Sequence, residues 1–259
     1  MMQFTSPIVE NTLIARNIYR LSFVANQSAA TPMPGQFLQI KIGEGLDPLL
    51  RRPISICDYD HNSNLVTLIY RIVGRGTELL SKKKAGELID VFGPLGTGFP
   101  YADLVLGQRV VLIGGGIGTP PLYYLAKELH KRGIKITTII GCLSQVDRIL
   151  YNEFAELGEV RVATVDGSCG LQGTVLDALD PDEKWDCFYS CGPIAMLRAL
   201  QDFWGKTKID GFISLEERMA CGIGACFGCV VKVDRDIYPD GYKKVCVDGP
   251  VFAFREVIL

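Results

Sequence analysis

Four cysteines in the last forty residues constrain this chain more than anything else in it. Cys221, Cys226 and Cys229 stand in the run Cys221-Gly222-Ile223-Gly224-Ala225-Cys226-Phe227-Gly228-Cys229, and Cys246 follows after sixteen further residues. C-x4-C-x2-C…C is the plant-type spacing, in which four thiolates hold the two irons of a [2Fe-2S] cluster. Gly222, Gly224 and Gly228 suit such a loop, which must bring backbone N–H groups close to sulfur and tolerates few side chains. Zinc is the competing metal, but its structural sites usually come as two C-x2-C-like pairs, and the first pair here is spaced by four. Cys57, Cys142, Cys169 and Cys187 fit no such pattern and are expected to be small buried residues.

The rest of the composition sets limits. At 259 residues, 48% hydrophobic and a net charge of −2, the chain can bury substantial cores and is too balanced for disorder. Its length supports two domains plus a small module. No long Lys/Arg block occurs, which argues against nucleic-acid binding; Lys82-Lys83-Lys84 is expected to be a solvated turn or helix end. The first residues carry neither a basic nor an apolar targeting region, and no stretch of about 18 uninterrupted apolar residues follows. A cytoplasmic protein without a membrane segment is the expectation, and in that reducing compartment nine cysteines call for a role other than disulfides.

Along the first hundred residues, short β-rich runs alternate with turn residues: Ile8-Val9, Ile18–Phe23, Phe37–Ile42, Leu65–Tyr70 and Leu88–Phe92. With Pro34-Gly35 and Gly93-Pro94 as punctuation and one short helical candidate at Thr77–Lys84, they predict a small antiparallel barrel. After Asp103 the pattern changes to alternating strands and helices. Strands are expected at Val110–Ile113, Ile134–Ile140, Val160–Val165 and Cys187–Ser190, and helices at Leu122–Arg132, Ile149–Leu157, Thr174–Leu179 and Ile194–Trp204. Such alternation indicates a doubly wound parallel α/β sheet. From about Gly211 the cysteine-rich end begins.

Three further segments are candidates for binding. Gly114, Gly115, Gly116, Ile117, Gly118 and Thr119 lie between an apolar strand and a helix that Pro120 or Pro121 would open. Glycines there let backbone approach a pyrophosphate at a helix N-terminus, although a plain tight turn has the same composition. Cys191-Gly192-Pro193 ends a strand, where it would face the same crevice. Arg51-Arg52-Pro53-Ile54-Ser55, with Tyr70-Arg71 and Gly74-Arg75-Gly76-Thr77, supplies guanidinium and hydroxyl groups suited to phosphate, or else is a basic turn on a β surface.

The order of these motifs resembles the ferredoxin-reductase-like flavoproteins, and the added C-terminal cysteine set resembles the electron-transfer subunits of type B dihydroorotate dehydrogenase over essentially the whole chain. That resemblance implies a multi-domain protein: residues 1–100 an FAD-binding antiparallel β-barrel, 101–210 an NAD-binding α/β doubly wound domain, 211–259 a plant-type-ferredoxin-like [2Fe-2S] module. It implies that Arg52, Pro53, Ile54 and Ser55 contact FAD, Arg52 near the pyrophosphate and Ser55 near the ring. Ile69, Tyr70 and Arg71 would form a second FAD segment, with Gly76 and Thr77 at the phosphates. The 114–119 loop would face NAD(H), and Cys191, Gly192 and Pro193 the nicotinamide. Cys221, Cys226, Cys229 and Cys246 would hold the cluster. Ile54 departs from the wider pattern, where many members have a ring-stacking tyrosine, and Tyr70 is a candidate to replace it.

The resemblance further implies a partner: an FMN-containing catalytic chain that oxidises dihydroorotate to orotate, in a heterotetramer of two of each chain. A flavin joins the paired electrons of NAD(H) to the single electrons of a cluster. No general acid or base is needed for that, which suits a chain with only His61 and His130, both expected at the surface. The small subunit of an NAD(P)H:ferredoxin oxidoreductase or a sulfide dehydrogenase would carry the same motifs. One Arg beside one Asp in Gly141–Arg148 leans towards NAD over NADP, because a 2′-phosphate needs a basic pocket there. A redox sensor that binds without turnover and a zinc-ribbon interaction module are the non-enzyme alternatives.

Overall fold

Alternation of buried and exposed residues builds the first domain. In β1 (Met2–Ala15), Phe4, Ser6 and Ile8 point inward while Gln3, Thr5 and Pro7 face out, the period of two that a half-buried strand requires. It is joined by β2 (Ile18–Val24), β3 (Phe37–Lys41), β4 (Arg52–Asp60), β5 (Leu65–Arg71) and, after α1 (Arg75–Ser81), β6 (Leu88–Leu95). These six antiparallel strands close in the order β1-β2-β5-β4-β3-β6 around Phe4, Leu21, Phe23, Leu38, Ile40, Ile56, Leu68 and Val91. The computed structural model describes residues 1–26, 30–43, 45, 47–205 and 207–259.

The second domain is the expected parallel sheet. Its elements are β7 (Arg109–Gly115), α2 (Pro121–Lys131), β8 (Lys135–Cys142), α3 (Tyr151–Ala155), β9 (Glu159–Thr164), β10 (Leu171–Gln172), β11 (Cys187–Cys191), α4 (Ile194–Trp204) and β12 (Asp210–Ser214). In β7, Val110 to Gly115 are all buried, as befits a central strand covered on both faces. The cysteine-rich end contributes a small hairpin, β13 (Val230–Lys232) with β14 (Tyr242–Lys244), and then β15 (Val251–Ala253), which returns to pair antiparallel with β12. The seven-stranded order is β10-β9-β8-β7-β11-β12-β15.

Four local expectations are corrected. Arg52–Ser55 is not a turn but the start of β4. Thr174–Leu179 is a run of turns, because the Asp177 carboxylate accepts from both the backbone N–H (2.7 Å) and the hydroxyl (2.9 Å) of Thr174, a side-chain bond that competes with helix formation. The short barrel helix begins at Arg75, two residues before the expected start, and ends at Ser81. Gly211, read as the opening of the cysteine-rich end, lies inside β12; a Cβ there would fall 1.9 Å from the Phe188 ring, so the glycine serves close packing within the sheet. The expected division at 211 therefore falls within a strand.

The two domains share a core in which Ile18, Cys57, Ile69 and Phe99 of the barrel side meet Leu122, Leu125 and Phe154. Ion pairs tie the same seam: Lys127 of α2 to Asp58 of β4 at 2.6 Å, and Arg20 of β2 to Glu153 of α3 at 3.0 Å. Cys57, Cys142 and Cys187 are buried as expected, and Cys169 is half-buried. His61 and His130 are exposed.

Candidate functional site

The glycine loop builds one wall of a cleft of about 820 Å³ at the carboxyl ends of β7, β8 and β11. Gly115, Gly116, Ile117 and Gly118 line it, with Gly192 and Pro193 opposite. Gly116 has φ +55, and the loop closes as a tight 3-10 turn before Pro121 opens α2. At Gly115 and Gly118 a side chain has no room. A Cβ on Gly118 would lie 2.4 Å from the Cys191 carbonyl oxygen, and one on Gly115 would lie 2.7 Å from Met196 Sδ. The expected loop thus divides into lining and support. Gly114 and Thr119 sit beneath, where a Cβ on Gly114 would meet Thr119 Oγ1 at 2.6 Å. Cys191 is corrected from a cleft-facing residue to a fully buried one: burial pushes its thiol far above the ordinary range, and its backbone, not its sulfur, supports the loop.

The barrel carries a second cleft of about 210 Å³. Pro53, Ile54, Ser55, Ile69, Tyr70, Arg71 and Thr77 all line it, so strands β4 and β5 and helix α1 bring the three expected segments together. Arg52 and Gly76 stand behind that lining: the Arg52 guanidinium lies flat on Gly76, where a Cβ would be 2.3 Å from Nε, and its Nη1 donates to the Leu50 carbonyl at 2.7 Å. The Tyr70 ring already stacks on Tyr19, centroids 5.7 Å apart, and its hydroxyl donates to Asn11 Oδ1 at 3.0 Å. Phe37, Leu215, Met219 and Pro250 also line it and had no signal in the sequence, because segments far apart in the chain deliver them.

The two clefts share Arg71, Ile117 and Glu216. Glu216 is exposed where it faces the clefts, yet the protein around it desolvates its carboxyl and raises it above the ordinary range, with the Arg71 charge pulling the other way. Arg16 and Asp147 also line the larger cleft, as does Cys142, to which the sequence assigned no role. Arg16 and Glu216 had no signal in the sequence, whereas Asp147 was read there as the Asp beside Arg148 in the Gly141–Arg148 segment.

Directly beyond Met219 comes the cysteine loop. Gly222 (φ +71), Gly224 (φ +80) and Phe227 (φ +55) wind it in left-handed conformations, and the Gly224 N–H donates to Cys246 Sγ at 3.2 Å. Gly228 brings backbone close to Cys226, whose Sγ a Cβ there would approach to 3.5 Å. Cys229 and Cys246 are buried, Cys221 half-buried and Cys226 exposed. Burial raises Cys246 to about 12; against a burial effect that acts upward, N–H groups of Ile223, Cys226 and Ala225 bring Cys221 down to about 6. Among the described residues no group of three or more His, Cys, Asp or Glu side chains is arranged to hold a metal ion, and it is the C-x4-C-x2-C…C spacing that assigns these thiols to a cluster. The cradle of glycines, the N–H donor on sulfur and the acidified Cys221 all fit such a group.

Residues 216–258 match the iron-sulfur cluster binding domain of dihydroorotate dehydrogenase B. The whole chain is 50% identical, over all of both sequences, to the dihydroorotate dehydrogenase B (NAD(+)) electron transfer subunits of Bacillus mycoides (strain KBAB4) and Bacillus cereus (strain G9842). Its structure is similar to that of an NADH-dependent reduced ferredoxin-NADP oxidoreductase described for flavin-based electron bifurcation, with a TM-score of 0.85, 32% identity, and coverage of 98% of this chain and 89% of the other. A ferredoxin NADP+ reductase from Neisseria gonorrhoeae shares the fold at 16% identity, with a TM-score of 0.66 over 83% of this chain and 94% of that one.

Proposed function

The chain belongs to the family of the electron transfer subunits of NAD(+)-linked dihydroorotate dehydrogenase B, and from that premise we propose how its residues carry the work. It is an oxidoreductase subunit that moves electrons between NAD(H), FAD and a [2Fe-2S] cluster, to or from the FMN of a catalytic chain that converts dihydroorotate to orotate in pyrimidine biosynthesis. The larger cleft takes NAD(H) and the barrel cleft takes FAD. The observation that carries this reading is their continuity: Arg71, Ile117 and Glu216 belong to both clefts, and Met219 of the barrel cleft stands two residues before Cys221. Two residues span at most about 7 Å, so covalent geometry alone keeps cleft and cluster loop adjacent.

When bound, FAD exchanges a hydride with NAD(H) and the cluster passes single electrons, which is the chemistry these groups supply. The chain's own part is to hold and orient. Gly115–Gly118 present backbone N–H groups at the opening of α2 to a pyrophosphate, and Gly192 and Pro193 bound the nicotinamide end. Ser55 and Thr77 offer hydroxyls, and Arg71 a guanidinium, to the flavin; Arg52 supports them through its seat on Gly76. Ile54 and Ile69 exclude water from the ring. Cys221, Cys226, Cys229 and Cys246 hold the cluster. We assign residues 1–100 to FAD, 101–210 with β12 and β15 to NAD(H), and the intervening cysteine loop to the cluster, in a cytoplasmic heterotetramer of two copies of each chain.

The test is made on the tagged chain purified anaerobically with the partner it retains. Reduction of NAD on addition of dihydroorotate, with FMN on the partner, is expected. A complex that holds FAD, iron and sulfide but fails this assay would instead favour a ferredoxin-linked oxidoreductase, the reading that the neighbour at 32% identity supports.

A further inference from the structure

Gln39, in β3, is completely buried, and among the described residues neither Nε2 nor Oε1 of its carboxamide has a hydrogen-bond partner. Buried amides are paired in almost all native proteins, since desolvation without a partner is costly. The surroundings explain what the partner is. Gln39 lies against the cysteine loop where that loop leaves Cys221: a Cβ on Gly222 would stand 3.0 Å from Nε2 and 3.1 Å from Cγ of Gln39. Position 222 is thus glycine for two reasons, its φ of +71 and the amide packed on it. Two residues earlier on the same strand, Phe37 lines the barrel cleft, so β3 runs from that cleft to the loop.

No carbonyl, hydroxyl or carboxylate of the described residues accepts from this amide. The acceptors that loading of the cluster adds to this corner are sulfurs, namely the Cys221 thiolate and bridging sulfide. We propose that Gln39 Nε2 donates a hydrogen bond to sulfur at the Cys221 corner of the cluster, from the barrel side, complementing the Gly224 N–H on Cys246. The inference rests on the assignment of the four cysteines to a [2Fe-2S] cluster. Reduction adds negative charge to the cluster, and a donor aimed at sulfur favours the reduced state. Gln39 therefore sets how readily the cluster accepts an electron from the adjoining cleft.

The experiment uses the anaerobically purified complex. Iron and acid-labile sulfide are measured first; a wild-type complex without them overturns the cluster assignment, and this inference with it. With the cluster present, EPR-monitored titration of wild type and Gln39→Leu is expected to show one-electron reduction made about tenfold less favourable, a fall of about 59 mV. In the reduced wild-type complex, an isotopically labelled glutamine side-chain nitrogen is expected to give a hyperfine coupling to the cluster that Gln39→Leu lacks. An unchanged potential in a fully loaded variant overturns the inference. Should the variant fail to load, absence of the coupling in the wild type overturns it and presence supports it.

Discussion

Arg16, at the end of the first barrel hairpin, grips Asp147 of the nucleotide domain with two prongs, Nε to Oδ1 at 3.1 Å and Nη2 to Oδ2 at 2.6 Å. Both residues line the larger cleft, so this pair ties the barrel to the nucleotide domain at the cleft's wall. Arg16 is 59% exposed while the Asp147 side chain is 7% exposed, so the carboxylate loses more when the pair is broken. Arg16→Ala is expected to cost roughly 1.5 kcal/mol, the lower end for hydrogen bonds to a charged group, and to raise KM for NADH. Chemical denaturation and steady-state kinetics check this; an unchanged KM would detach the pair from the cleft's geometry.

Gly118→Ala should act on the same cleft through its glycine wall. Its new methyl would meet the Cys191 carbonyl carbon at 2.5 Å and Gly192 Cα at 2.6 Å, and backbone cannot swing aside as a side chain can. A cost of about 1–3 kcal/mol and weakened NADH binding are expected, with the flavin absorbance retained. Titration with NADH separates the two; equal loss of flavin would mean that the damage spreads beyond the loop.

The seat of Arg52 on Gly76 makes a coupled prediction. Arg52→Ala is expected to weaken FAD retention by roughly 1.5–3 kcal/mol, and Gly76→Ala, which displaces the guanidinium, to do nearly as much. Because both changes remove one arrangement, the double variant should lose little more than either single one. Fully additive losses measured by flavin release would show two independent contributions.

What the sequence disclosed about this site follows from how local each signal is. The cysteine spacing, the glycine loop between an apolar strand and a proline-started helix, and α4 at Ile194–Trp204 depend on neighbours in the chain, and all appear where they were expected. Gly211 misled because its reason, the Phe188 ring, is contributed by another strand. Thr174–Leu179 misled because one carboxylate outweighed helical spacing. Arg16, Asp147, Gln39 and Glu216 acquire their roles only when separate elements meet, which no spacing rule encodes.

In the cluster-free chain, Cys221 should be the thiol that reacts first. A value of about 6 makes it largely thiolate at pH 7, whereas Cys246, at about 12, stays protonated. Since folding lowers the Cys221 value, its contribution to stability is full above the ordinary thiol range and is lost as pH falls through 6. Alkylation rates followed by mass spectrometry should rise through pH 6 and level off by about 8. In the complex, Cys226→Ser should lose the cluster and keep the flavin; a full complement of iron would refute that ligand.

Glu216 joins the two clefts, and its pH behaviour tests whether that junction is as desolvated as its surroundings imply. Though Glu216 is exposed in the clefts, the surrounding protein desolvates its carboxyl and raises it, and Arg71, which faces the same clefts, only partly opposes the rise. A folded value above the unfolded one means that the folded state binds the proton more tightly. The resulting stability is therefore complete below the unfolded carboxyl's range and disappears as pH climbs through the folded value. Glu216→Gln carries no charge to desolvate. Its thermal midpoint should accordingly gain on the wild type between pH 4 and pH 8, with a widening difference on the alkaline side. A difference that stays flat across that range would place Glu216 in water, and the wall between the clefts would then owe its polarity to Arg71 alone.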